Sequence, residues 1–119
     1  MAFTIPASTD APQEARTAIS SVLGRTEQIE DVLLATSELV SNAVQHGDLE
    51  EGSPIHLEVR LVADRVRVSV SHEGPPFERP PDPPQRSTAG GFGFYIVGQV
   101  AADWDIAYTH GTTKTWFEI

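Results

Sequence analysis

The sequence contains no cysteine among its 119 residues and only one lysine, Lys114. The absence of cysteine excludes disulfide bonds, zinc sites built on thiolates and cysteine nucleophiles. The longest apolar runs are short and are interrupted by charges, so we expect no signal peptide and no membrane-spanning helix, and we predict a cytoplasmic protein. A chain of this length is expected to form a single domain over residues 1–119, which can fold without covalent cross-links.

Positive charge is also scarce. Eight Lys and Arg residues stand against 17 Asp and Glu residues, which gives a formal net charge of −9. A chain this acidic is repelled by a phosphate backbone, so we expect no direct binding to nucleic acid. A mechanism that needs a lysine to hold a phosphate has Lys114 as its one candidate.

Hydrophobic periodicity predicts an α+β two-layer sandwich, because strands arranged mostly as hairpins alternate with helices that can cover one face. Asp10 is the expected N-cap of the first helix, and Gly47 is the expected stop signal of the second. Residues 73–90 are too rich in Pro and Gly for a helix interior or a central strand, and they predict a long loop. The predicted helices cover 11–23, 26–46 and 91–102, and the predicted strands cover 55–62, 65–72, 104–109 and 113–119, with an edge strand at 3–5.

One group of polar residues lies on the second predicted helix. Glu38, Asn42 and His46 are four residues apart, so their side chains follow one face. The amide oxygen of an asparagine is a hard ligand suited to Mg²⁺, and a carboxylate one turn away can accept a proton. Taken alone, this segment is explained more simply as the solvated face of an amphipathic helix.

Three other segments could bind a ligand, and each also has a structural explanation. His72 and Gly74 end a strand, where a glycine allows a ligand close to the backbone or simply begins a loop. Gly91 and Gly93 open a helix whose free N–H groups can bind an anion, but glycines also cap and hinge helices. Thr113 follows a Gly111 turn between the last two strands, and a tight hairpin explains that pattern without function.

The order and spacing of these segments together resemble the nucleotide-binding boxes of the GHKL superfamily, and most of all its small anti-sigma-factor serine kinases. The run from Glu38 to Gly47 resembles the N box, residues 91–97 resemble the G2 box, and residues 111–118 resemble the last hairpin of the family. The resemblance extends from the first helix to the C-terminus. It implies the Bergerat fold, in which helices cover one face of a mixed, mostly antiparallel sheet.

The resemblance also implies roles for individual residues. ATP and Mg²⁺ would lie between the helices and an ATP-lid loop at about 73–90. Asn42 would bind the metal, and Glu38 would be the catalytic general base. Gly91 and Gly93 would lie at the phosphates.

At the other end of the nucleotide, Thr113 would lie near the adenine, and His46, His72 and Gly74 complete the expected cofactor-binding set. The sequence departs from the family here, because the G1 box reads Asp-x-Gly-x-Gly and His72 and Pro76 stand at its first and last positions. A neutral histidine can accept a hydrogen bond but lacks the negative charge of a carboxylate, a loss of roughly 1–2 kcal/mol or about tenfold in affinity.

Two functions follow as hypotheses. The family resemblance implies an ATP-binding serine protein kinase that phosphorylates a small antagonist protein and sequesters a sigma factor, and it is compatible with a homodimer. The histidine at position 72 motivates the alternative, a module of the same fold with weakened nucleotide use. Such a module would regulate transcription by capturing a partner without phosphotransfer.

Overall fold

The computed structural model describes residues 1–74 and 91–119, which form a five-stranded sheet and three helices. The strand order is β1-β2-β3-β5-β4, and every pairing is antiparallel. The α+β sandwich is confirmed. A mixed, mostly antiparallel sheet was expected, and the described strands pair without a parallel pair. The elements in chain order are β1 Ala2–Pro6, α1 Ala11–Leu23, α2 Ile29–His46, β2 Pro54–Val62, β3 Arg65–Glu73, α3 Gly91–Val100, β4 Asp103–Thr109 and β5 Thr112–Glu118.

The helices begin and end close to the predicted residues, with three differences. Asp10 occupies the N-cap of α1, but its side chain makes no capping hydrogen bond there. The helix α2 begins at Ile29 rather than at 26, after an N-cap, Gln28, that also lacks a side-chain hydrogen bond. The helix α3 ends at Val100 rather than at 102, because the Ala102 N–H donates to the Glu118 carbonyl of β5 at 2.8 Å.

The helix-facing side of the sheet forms the core, because alternate residues of each strand point to it. On β3 these are Val66, Val68, Val70 and His72, all buried. Leu61 of β2 is an exception to the expected apolar stripe, since it lies near the hairpin turn and is 74% exposed. No helix in the described ranges is both long and apolar enough to span a membrane.

The helix α2 is the centre of the helical layer, and it contacts α1, α3 and β3. Its buried side is apolar except at Thr36 and Asn42. Burying apolar area contributes about 25 cal/mol per Å², so this face holds α2 firmly against the sheet. The predicted lid at 73–90 begins with the end of β3 and Gly74, while residues 75–90, including Pro76, lie outside the described residues.

Candidate functional site

The first half of the candidate site lies where α2 meets the start of α3, and we call it the α2–α3 corner (Glu38, Asn42 and Gly93). A Cβ built on Gly93 would lie 3.1 Å from Asn42 Nδ2, 3.1 Å from Glu38 Oε2 and 3.2 Å from Asn42 Oδ1. The glycine therefore lets the backbone of α3 approach both polar groups. Gly91 is the first residue of α3, two residues away from this contact.

Asn42 is the more buried polar residue of this corner. Its side chain is only 6% exposed, and its Nδ2 has no hydrogen-bond partner within residues 1–74 and 91–119. Buried amides are nearly always hydrogen-bonded, so an unsatisfied donor beside a glycine cradle is what an oxygen-rich ligand would complete. The donor set fits Mg²⁺ with a polyphosphate, because Oδ1 suits the metal and Nδ2 suits a phosphate oxygen.

Glu38 is partly buried, and burial raises the pKa of its carboxyl group above the ordinary value of 4.5. Among the described residues no cation forms an ion pair with it. A carboxylate with a raised pKa is a stronger base, which suits it to take a proton from a hydroxyl group. Within the described residues, Asn42 Nδ2 lacks a hydrogen-bond partner and Glu38 lacks an ion-pair partner, so both groups can interact with a ligand.

The second half of the site lies at the ends of β3 and β5, and we call it the strand-end corner (Gly47, His72, Gly74 and Thr113). His72 is 1% exposed, and it lies opposite Thr113 in the β3–β5 register. A Cβ built on Gly47 would lie 2.9 Å from Cε1 and 3.2 Å from Nε2 of His72, and it would also collide with the Ala43 carbonyl. Gly47 has an ordinary φ of −83°, so this packing, and not its backbone conformation, requires a glycine.

Gly74 lies against the Nδ1 and Cε1 atoms of the same imidazole. Its φ of +143° favours glycine, and a Cβ there would lie 3.1 Å from the Gly47 carbonyl and 3.6 Å from His72 Nδ1. Thr113 is fully buried, and its hydroxyl donates to the Gly74 carbonyl at 3.4 Å. The Gly74 N–H in turn donates to the Gly111 carbonyl at 3.0 Å. Hydrogen bonds thus join the end of β3 to the turn between β4 and β5 and to the start of β5.

Burial lowers the pKa of His72, and the nearby Glu73 carbonyl, 3.3 Å from Nδ1, opposes that shift. The imidazole is therefore neutral at pH 7. If Nδ1 carries the proton and donates it to the Glu73 carbonyl, Nε2 is the acceptor of the ring. Glu73 cannot take the place of His72, because it lies opposite Thr112 on the other face of the sheet and is exposed.

The two corners lie on the helix-facing side of the sheet, and α2 connects them. Asn42 and Gly47 are separated by about 8 Å along the helix axis. His46 is exposed at the end of α2, and its side chain forms no hydrogen bond or ion pair with a described residue. The sequence interpretation missed the packing role of Gly47, which it treated only as a helix stop. The signal that was available is that His72, with its larger imidazole, stands where the family motif has an aspartate.

Comparison with known families supports the same fold. A family model described as the histidine kinase-like ATPase domain matches residues 5–119. The serine-protein kinase RsbW of Oceanobacillus iheyensis is 27% identical, over 90% of this chain and 78% of that protein. The serine-protein kinase RsbW of Bacillus cereus is 28% identical, over 92% of this chain and 78% of that protein.

Solved structures show the fold at lower identity. The RsbU and RsbW domains of a Mycobacterium tuberculosis protein superpose with a TM-score of 0.69 at 22% identity, over 99% of this chain and 32% of that chain. This chain therefore spans about a third of the mycobacterial one. A chain of the SiaB–SiaC complex from Pseudomonas aeruginosa has a TM-score of 0.61 at 12% identity, over 99% of this chain and 88% of that chain.

Proposed function

The chain belongs to the histidine kinase-like ATPase domain family, and on that premise we propose that it is an ATP-dependent kinase for a serine of a small antagonist protein. One observation carries the proposal: Gly93 brings the start of α3 against both Glu38 and Asn42, and the Asn42 donor is left for a ligand among the described residues. The homology to the RsbW serine-protein kinases supports the same activity.

The proposed reaction uses few groups of the chain. The serine hydroxyl oxygen bonds to the γ-phosphorus while the bond to the β,γ-bridging oxygen breaks, and ADP leaves. Glu38 accepts the hydroxyl proton, and the free N–H groups at the start of α3, near Gly91 and Gly93, bind phosphate oxygens. Mg²⁺, when bound at Asn42 Oδ1, supplies charge neutralisation at the phosphates.

The proposed partners follow from the family resemblance. We propose that the unphosphorylated antagonist competes with a sigma factor for this protein, and that phosphorylation of the antagonist leaves the sigma factor sequestered. The solved SiaB–SiaC complex supports a protein partner for this fold. Such partners would place the protein in the cytoplasm, and a homodimer is part of the same proposal.

The strand-end corner favours a second candidate function. By the family resemblance His72 aligns with the adenine-binding Asp, and its side chain is buried against Gly47 and Gly74. A module that captures its partner without phosphotransfer would tolerate this replacement.

Two measurements separate these functions. For the kinase, ATP with Mg²⁺ raises the melting temperature, because a ligand that binds only the folded state stabilises it. The kinase also transfers label from ATP to an antagonist serine, and Glu38→Gln abolishes the transfer. Partner binding that neither ATP nor Glu38→Gln changes, with no labelled serine, would instead establish the binding module.

A further inference from the structure

The face of α2 that carries Glu38 continues toward the start of the helix as an exposed stripe. Asp31 and Leu34 precede Glu38 by seven and four residues, so the three side chains follow one helix face, which we call the Asp31–Glu38 stripe. Asp31 is exposed and Leu34 is 43% exposed. The stripe therefore presents a carboxylate and an apolar side chain to solvent beside the proposed base.

Leu34 is the only large hydrophobic residue exposed on a helix among residues 1–74 and 93–119, for which side-chain burial is described. The other exposed large hydrophobic residues of those ranges lie at the chain start or on strands, namely Met1, Leu61, Val62 and Tyr108. A single exposed leucine on a protein surface needs no explanation. Its position one turn from Glu38 is what gives Leu34 significance, because a phosphoacceptor must come within hydrogen-bond distance of that carboxylate.

The geometry of the helix makes Leu34 part of the approach to Glu38. Side chains on a helix lean toward its N-terminus, and Leu34 lies one turn before Glu38 on the same face, so we expect a group that reaches Glu38 from solvent to pass Leu34. On the opposite flank, Gly93 of α3 lies within contact distance of Glu38 and Asn42. Among the described residues, the carboxylate is therefore approached from the side of Leu34 and Asp31.

The charge around the stripe determines what can dock there. Residues 10–51 contain nine Asp and Glu residues against two Arg residues, so this part carries most of the net charge of −9. Glu30 and Asp31 are both exposed in the first turn of α2. One of the two arginines, Arg16, is held on the α1 side, where its Nη1 donates to Ser37 Oγ at 2.9 Å. The surface at the stripe is acidic and attracts a basic segment.

We propose that the Asp31–Glu38 stripe is the docking surface for the phosphoacceptor protein, and that it takes a segment with an apolar residue beside the serine and basic residues around it. The proposal rests on the proposed function, since it takes Glu38 as the place where the serine arrives. The apolar residue packs on Leu34, and the basic residues pair with Asp31 and Glu30. The apolar and basic residues expected of the segment are those that complement the apolar Leu34 and the acidic Asp31 and Glu30.

The test uses the ¹⁵N-labelled full chain and two synthetic peptides, observed by amide NMR without nucleotide. Both peptides carry a serine next to a leucine, flanked by lysines in one peptide and by glutamates in the other. We expect the lysine peptide to shift amides of residues 30–38 and the glutamate peptide to shift none. Added salt weakens the binding, because exposed charge pairs are screened.

Four variants assign the contacts. We expect Leu34→Asn and Asp31→Asn each to weaken the lysine peptide about fivefold, from lost apolar burial and lost charge pairing respectively. Leu61→Asn is the matched control for Leu34, since Leu61 is 74% exposed on β2. Glu51→Gln removes one exposed charge from the loop after α2 and is the control for Asp31. Both controls should bind the peptide as the unaltered chain does.

The docking proposal is overturned if neither peptide shifts residues 30–38, if the two peptides bind equally, or if the controls weaken binding as much as the stripe variants do. Shifts centred on residues 10–14 or 48–51 would also overturn it, because another acidic surface would then be the site. This test needs no phosphotransfer. A protein that labels an antagonist serine but ignores the peptides loses only the docking surface, whereas one that binds the lysine peptide at the stripe but not ATP loses only the proposed kinase function.

Discussion

The two corners of the candidate site use glycine in opposite ways. At the α2–α3 corner, Gly93 keeps the backbone close to Glu38 and Asn42 while their polar atoms stay available. At the strand-end corner, Gly47 and Gly74 make room for a protein side chain, the imidazole of His72, which is 1% exposed. At one corner a buried polar donor is left without a partner among the described residues, and the other corner is filled by a side chain of the protein itself.

In the proposed nucleotide site, the two corners would perform different tasks: one would bind phosphates and accept a proton, and the other would recognise the base. In the proposed function, the groups of the α2–α3 corner bind the phosphates and accept the proton. In the same proposal, the base is identified by a hydrogen-bond acceptor at the strand ends, where this chain has a buried neutral histidine and the family resemblance implies a carboxylate. We infer that affinity for a nucleotide comes mainly from its phosphates and that discrimination between bases is weak.

The largest effect is expected when the proposed base is neutralised. Glu38→Gln keeps the size of the side chain but cannot accept the serine proton, so phosphotransfer should fall by about 10²–10⁴-fold. ATP binding should change little, because the phosphates are held by other groups. Labelled-phosphate transfer under single-turnover conditions measures the rate, and exposed Glu14→Gln is the control. Transfer that survives in Glu38→Gln would remove the carboxylate from the mechanism.

The next effect comes from filling the cradle of the α2–α3 corner. The Cβ of Gly93→Ala would lie 3.1 Å from Glu38 Oε2 and Asn42 Nδ2, which should weaken binding of ATP with Mg²⁺ by about tenfold. Gly98→Ala is the matched control in the same helix, since its Cβ meets only Trp104 Nε1, at 3.7 Å. Alanine should stabilise the control by about 0.5–1 kcal/mol without changing binding. Equal affinities by calorimetry for both variants would refute the close approach.

The strand-end corner should give a smaller effect, visible in the pH dependence of stability. Burial lowers the pKa of His72 below its ordinary value of 6.5, so the unfolded chain binds more protons between the two values. The unfolding free energy should therefore fall as pH drops from 6.5 through the folded-state pKa. His72→Gln removes this loss, whatever its effect on stability at neutral pH. Identical slopes for the two proteins in urea titrations at several pH values would contradict a buried neutral imidazole.

The smallest effect concerns stability at the α2–α3 corner. Because the pKa of Glu38 is raised above 4.5, the folded chain binds more protons just above that pH. The unfolding free energy of the unaltered chain should fall as pH rises from 4.5 through the folded-state pKa. Glu38→Gln should therefore gain stability relative to the unaltered chain at pH 7 compared with pH 4. Melting curves at both pH values test this, and no relative gain would mean that Glu38 is ionised at no cost.

Local signals predicted most of the fold. The helix α1 covers Ala11–Leu23 as its periodicity predicts, and the β2–β3 hairpin turns at Ala63 and Asp64 as its alternation predicts. The start of α2 was wrong by three residues, because no capping side chain marks it. The spacing and the family resemblance together predicted that Glu38, Asn42 and the α3 glycines share a site; Gly93 does lie beside Glu38 and Asn42, and the functional roles of these residues stay predictions.

The packing of the strand-end corner could not be predicted from the sequence. Gly47 and His72 are 25 residues apart, and only the sheet and α2 together bring them into contact. The charge state of His72 could not be predicted from the sequence either, because it depends on burial by elements distant in the chain. Periodicity describes which face of an element is buried, but it does not identify the partner across the core.

The most direct test of the account is calorimetric titration of ATP and GTP with Mg²⁺ into the unaltered chain, His72→Asp and the uncharged control His72→Asn, each first shown to be folded by thermal melting. The account predicts that the unaltered chain binds ATP and GTP with similar affinity, and that His72→Asp gains about tenfold for ATP alone. It predicts no such gain for His72→Asn. No ATP binding by the unaltered chain, or a strong preference for ATP that His72→Asp leaves unchanged, would contradict it.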